Sequence, residues 1–173
     1  MATSENGAGA SATQEDRTQT ERTSDRDFVV TRTVDGPARL VFRAWTEAEL
    51  YRRWWVPASF PVALTECALD VRVGGGYRLT FVMEGHPPMS FFGKYLEVVP
   101  AARLVWTNEE AGEVGQVTTV TFAEKDGRTT VVLTDTYPTK EALDEAIVSG
   151  NCGAMPETFE QLAAFVATLA ATP

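Results

Sequence analysis

Hydrophobic and polar positions alternate from residue 28 onward. Phe28, Val30 and Val34 interleave with Val29, Thr31 and Thr33, and this β-branched density predicts a strand. Asp35-Gly36-Pro37 turns the chain, and Pro37 suits the opening of a short helix carrying Leu40, Val41, Phe42 and Ala44. Thr46 with Glu49 three residues on reads as a capping box for a second short helix over 47–53. Pro57 discourages continuation beyond Trp54-Trp55-Val56. The period then becomes two. It predicts strands over 65–71, 76–84, 89–99, 103–108, 115–124 and 128–137, divided by turn signals of which Asp126-Gly127 is the strongest. With no helix between them, these strands form an antiparallel meander. A helix over 139–148 follows. The final stretch, 156–171, sets Phe159, Leu162, Phe165, Val166 and Leu169 on one helical face, with Pro156 and Glu157 suited to its first turn.

That apolar stripe needs a broad cover, and strands supply it. The expected class is α+β: a curved antiparallel sheet of six or seven strands wrapped around a long C-terminal helix, with two short helices after the first strand. Residues 1–26 carry no large apolar side chain after Met1, so they are expected to form a disordered tail ahead of a single domain over 27–173.

Composition narrows the function. The chain has 173 residues, 44% hydrophobic, with a formal net charge of -9 and no basic run. Such a chain suits neither a nucleic-acid backbone nor an anionic membrane surface. Cys67 and Cys152 stand far apart outside any metal pattern, and one histidine, His86, precludes a multi-histidine centre within one chain. Neither a metal nor a cofactor is expected. No apolar run approaches a membrane span and no signal-peptide pattern opens the chain, so a cytoplasmic monomer or homodimer is expected.

Gly74-Gly75-Gly76 superficially suggests a phosphate loop, but Tyr77, Leu79, Phe81 and Met83 after it alternate as a strand, where a phosphate loop needs a helix. Cys152 lies near a helix start, which lowers a thiol pKa, yet no histidine is near it in sequence and an inert cysteine is the simpler reading. Asp135 shares strand parity with Val131, Leu133 and Tyr137. If that set faces inward, Asp135 points into the interior as a polar anchor or a base; the opposite pleat puts it in water. The groups available for acid–base chemistry are Asp135, His86 and Tyr77.

The order of elements resembles the helix-grip arrangement of the START-like (SRPBCC) superfamily. Within it, the chain is similar to the bacterial relatives of the family named after the activator of the ninety-kilodalton heat-shock protein's ATPase. The residues carrying the resemblance are the opening block from Pro37 to Trp45, the Trp54-Trp55-Val56-Pro57 motif, the glycine turn from Asp70 to Arg78, the central hairpin from Gly93 to Val105, and Met155, Glu157, Thr158, Phe159 and Leu162 of the last helix. The family pattern leads one to expect an apolar residue where Asn151 or Cys152 stands, and Pro156 is unusual if the last two helices are continuous.

The resemblance implies a gap between sheet and last helix as the natural ligand site. The wall positions expected from the strands and the tryptophan motif are Trp55, Tyr77, Phe81, Phe92, Trp106 and Phe122. Asp135, Cys152, Met155 and Phe159 are expected at the helix side of the same gap. The function so implied is binding of a small, largely hydrophobic or aromatic molecule. An enzyme of cyclase, hydrolase or lyase type using the same gap, and a chaperone-regulating interaction module, are the alternatives.

Overall fold

The computed structural model describes residues 14–172 apart from 111, 113, 114 and 151. Asn151 and residues 1–13 of the expected tail therefore lie outside the described residues.

Eight antiparallel strands form one open sheet in the order β1-β2-β8-β7-β6-β5-β4-β3. The strands are β1 Gln19–Arg22, β2 Asp27–Asp35, β3 Ala63–Leu69, β4 Gly76–Val82, β5 Met89–Val99, β6 Arg103–Thr107, β7 Val117–Lys125 and β8 Arg128–Thr136. The helices are α1 Ala38–Thr46, α2 Ala48–Tyr51, α3 Lys140–Val148 and α4 Met155–Ala171. This is the helix-grip arrangement, with one strand more than the pattern predicted.

The additional strand corrects the expected boundary at residue 26. A 3-10 turn at Gln14–Asp16 leads into β1, which pairs with β2 from Gln19↔Thr31 to Arg22↔Phe28. Its side chains are polar, so its docking rests on backbone bonds and polar ties. Arg22 pairs with Asp144 of α3 at 2.5 Å, and Thr18 donates to Glu160 of α4 at 3.1 Å. Ser24 accepts from the backbone N–H groups of Arg26 and Asp27 and so closes the β1–β2 turn.

Two local expectations also change. Thr46 caps nothing: it ends α1 and its hydroxyl donates back to the Phe42 carbonyl at 2.9 Å, while Glu47 starts α2 without a side-chain cap. Pro156 causes no kink, because α3 ends at Val148 and α4 begins at Met155, which leaves the proline in a first turn where its missing N–H is no loss. The α3 start is capped by the Thr139 hydroxyl, which accepts from the Ala142 N–H at 3.1 Å.

The three glycines at 74–76 make a turn. Gly74 has φ +82°, and the Gly75 N–H bonds the Arg72 carbonyl at 2.8 Å before β4 begins. Helix α4 packs on β2, β1 and α1, and α1 packs over β7 and β8. Phe159, Leu162 and Val166 of α4 are fully buried there. Trp45 of α1 is the aromatic centre of the core, with Trp54 at 4.7 Å and Trp106 and Phe159 each at 6.0 Å between ring centroids. The part of the sheet that neither helix covers is left to line a cavity.

Candidate functional site

The cavity has a volume of about 600 Å³, within the size range of small-molecule sites. Its walls come from the inner faces of β2 to β8, the connection after α2 and the start of α4. That connection is fastened to α4. Gln161 donates to the Trp54 and Val56 carbonyls, both at 2.8 Å, and accepts from the Ala58 N–H at 2.7 Å. Glu157 accepts from the Ser59 N–H at 2.9 Å and hydroxyl at 2.5 Å, and these bonds hold its carboxyl below the usual range. Trp55, Val56, Pro57 and Phe60 are thereby held against Met155 and Thr158 as one wall. Phe60 and Met89 are 47% and 56% exposed and mark the mouth.

One end of the cavity is polar. Asp135 of β8 pairs in register with Thr118 of β7, whose hydroxyl donates to its Oδ1 at 2.6 Å. The Asn108 amide donates to Thr118 Oγ1 at 2.9 Å. The Tyr77 hydroxyl lies 2.8 Å from Asn108 Oδ1 and 2.9 Å from the Thr107 carbonyl. Donors thus run in one direction, from Tyr77 through Asn108 and Thr118 to the carboxyl of Asp135. Such a chain polarises toward its acceptor.

Burial pushes the Asp135 carboxyl above the usual range, only partly offset by hydrogen bonds from Thr118 and Gln116. The solvent surface it keeps is cavity surface, so protein surrounds it even though it is not sealed from water. Burial, then the nearby acidic groups led by Glu110, push the Tyr77 phenol far up, which keeps it a donor. The Tyr137 phenol is raised chiefly by burial, then by Asp135 and by a hydrogen bond with Cys152. Burial also raises the Cys152 thiol, against the opposing effect of the Tyr137 hydroxyl. The expected lowering by a helix start does not prevail there.

The structure brings Trp55, Tyr77, Phe81, Trp106, Asp135, Cys152 and Met155 together around this cavity. Three expected wall residues lie elsewhere. Phe92 is a correction: it sits on the outer face, 38% exposed, beneath the Arg78 guanidinium at 5.5 Å. The register pairs Tyr77 with Gly93, which turns Phe91 inward and Phe92 outward. Phe122 is buried against Phe42 and Trp45 under α1, and Phe159, on α4 itself, is buried beside Trp45; neither lines the cavity. His86 is exposed in the β4–β5 turn and is likewise not part of the wall.

Sequence reasoning missed Tyr51, Phe91 and Tyr95 among the aromatic lining and Asn108, Glu110, Gln116 and Thr118 at the polar end. The parity of Val120 and Phe122 on β7 contained the signal for Thr118, and the parity of Tyr77 opposite Gly93 contained it for Tyr95.

Asp135→Asn is expected to raise the melting temperature at pH 7. The native carboxyl holds its proton to higher pH than the unfolded one. Wild-type stability is therefore fully retained below the unfolded pKa and falls as pH rises through the window up to the raised native value. Asparagine removes that loss and still accepts from Thr118. The advantage should vanish as pH drops below the ordinary aspartate range, as read by paired thermal melts; a pH-independent difference would show that the carboxyl's ionisation is not the cause.

A family model described as Activator of Hsp90 ATPase homolog 1-like protein matches residues 35–167. Among solved structures, the chain is similar to a protein from Rhodobacter sphaeroides, 20% identical with a TM-score of 0.79 over 88% of this chain and 99% of that one. It is similar to a protein from Chromobacterium violaceum, 27% identical with a TM-score of 0.65 over 80% of this chain and 95% of that one. It is also similar to an AHSA1-like protein from Aeromonas hydrophila, 19% identical with a TM-score of 0.63 over 82% of this chain and 93% of that one. No curated protein matches.

Proposed function

We infer a function from the premise that this chain belongs to the Activator of Hsp90 ATPase homolog 1-like family of the START-like superfamily: it binds a small, largely apolar or aromatic molecule in the cavity between the sheet and the start of α4. The observation that carries this reading is the cavity itself, about 600 Å³ with Trp55, Phe81, Phe91, Tyr95 and Trp106 in its walls. A core that merely stabilised the fold would close such a space, because unfilled volume costs stability. Binding is preferred over catalysis because, of the three groups weighed for acid–base work, only Asp135 combines a place in the cavity with the acidity of a carboxyl, and burial raises its pKa. The phenol of Tyr77 stays protonated and His86 lies outside the wall. Among the described residues no helix is long and apolar enough to cross a membrane. The free thiols of Cys67 and Cys152 fit a reducing cytoplasm.

The neutral dye N-phenyl-1-naphthylamine tests the reading. Saturable dye fluorescence with quenching of the protein's tryptophans is expected. Leu69→Trp, which adds bulk to the lining from β3, should abolish the dye signal while leaving the unfolding midpoint near that of the wild type. Unsaturable dye binding, or binding that the substitution leaves intact, would count against the cavity as the site.

A further inference from the structure

We propose that the ligand of this cavity carries a protonated amine on its apolar body, and that this ammonium group sits on Asp135. The inference rests on the cavity-binding reading above and names the chemical class that the cavity selects.

Its first support is the charge of the lining. Among the described residues the wall holds two carboxyl groups, Asp135 and Glu110, and no lysine, arginine or histidine. Among the described residues neither acid takes part in an ion pair, although nine other ion pairs tie the molecule together. A carboxylate withdrawn from bulk water is costly unless a cation accompanies it. The protein supplies Asp135 with neutral donors only, Thr118 at 2.6 Å and Gln116.

The second support is the direction of the polar chain. Tyr77 donates to Asn108, Asn108 to Thr118 and Thr118 to Asp135, so the chain of donors ends on an acceptor at this end of the cavity. The remaining ionisable neighbours reinforce it. Tyr77 from β4 and Tyr137 just after β8 stay neutral, as does Cys152 from the α3–α4 connection, and the carboxyl of Glu110 from the β6–β7 connection, its pKa raised by burial, brings no positive charge. Tyr77, Tyr95 and Trp106 stand next to one another in the wall, with ring centroids 6.0 to 6.4 Å apart. Aromatic faces attract a cation. A carboxylate ligand meets the opposite: its charge would be buried beside Asp135 with no counter-ion, which excludes fatty-acid-like molecules from this end. The net charge of -9 further favours encounter with cations.

Three naphthalenes of matched shape separate these cases: 1-naphthylmethylamine, 1-naphthalenemethanol and 1-naphthoic acid, cationic, neutral and anionic at pH 7.5. Titration calorimetry and tryptophan quenching with the full chain should rank amine above alcohol above acid. The amine should lead the alcohol by roughly tenfold to a hundredfold, the span of one charge-assisted hydrogen bond. Asp135→Asn should cost the amine at least tenfold more affinity than it costs the alcohol, so that the preference between them disappears. In the wild type, the same preference should shrink as pH falls and Asp135 takes up its proton, since the primary amine stays charged throughout. Equal affinity for amine and alcohol, tight binding of the acid, or an amine preference that survives in Asp135→Asn would overturn the proposal while leaving cavity binding intact. Failure of all three compounds together with the neutral dye would overturn both.

Discussion

Phe159→Ala should lower the free energy of unfolding by about 3–5 kcal/mol, the range for deleting a fully buried aromatic ring. Phe159 has no exposed surface, and its ring centroid lies 6.0 Å from that of Trp45. The site has little freedom to collapse. On one side stand Leu162 and Val166 of the same helix, both fully buried, and on the other the Trp45 ring, itself held among Tyr51, Trp54, Trp55, Trp106 and Phe122. Urea denaturation followed by far-UV circular dichroism gives the loss as a fall in midpoint at unchanged slope. A loss below about 1 kcal/mol would mean that α4 repacks freely onto α1 and β2, in conflict with its role as a fixed wall. The substitution should also weaken dye binding modestly, because Thr158 and Met155 line the cavity from the same turn.

That helix was legible from spacing alone, and the reason is physical. Apolar residues at helical period can be buried only together, and α4 buries Phe159, Leu162 and Val166 as one stripe. The seven strands from β2 onward were legible for the same reason at period two. β1 was not, because Gln19-Thr20-Glu21-Arg22 offers no apolar face. Its place is set by backbone pairing with β2 and by contacts with Asp144 and Glu160, both more than a hundred residues away. No local pattern carries such information.

The site divides along the same line. Asp135 inherits its inward direction from Val131 and Leu133, both buried, so the alternation contained its orientation. The two adjacent rings at Phe91 and Phe92 carry no parity of their own, and only the pairing of Gly93 with Tyr77 decides between them. Phe122 was correctly placed inward, but α1 occupies the space before it, so it meets Phe42 rather than a cavity. The polar chain was hidden most deeply. Thr118 shares the inward parity of Val120 and Phe122, but only the β7–β8 register sets it opposite Asp135, and Asn108 looks like an ordinary strand-end residue.

Gly93→Ala should be as damaging as the loss of a core ring, and it should act on the site as well as on stability. Gly93 stands where β5 has left its ladder with β6, whose pairing begins at Tyr95, yet the Thr107 carbonyl of β6 still lies over it. A Cβ at this position would fall 1.8 Å from that oxygen and 2.7 Å from its carbon. Both are backbone atoms, so no rotamer change relieves the contact. Thr107 is held in turn by the Lys94 N–H, which donates to its hydroxyl at 2.9 Å, and by the same hydroxyl donating to Glu109 at 2.7 Å. Over-packing typically costs about 1–3 kcal/mol, and a contact this short with fixed backbone lies at or above the upper end of that range. The strand must move, and the Tyr77 hydroxyl follows, because it lies 2.9 Å from the Thr107 carbonyl and 2.8 Å from the next residue's side chain. The chain from Tyr77 to Asp135 then loses its first link. The expected result is a lowered denaturation midpoint together with a reduced preference for 1-naphthylmethylamine over the alcohol. An unchanged midpoint would show that β6 yields easily at Thr107. A lowered midpoint with the preference intact would show that Thr118 and Gln116 hold Asp135 without help from Tyr77.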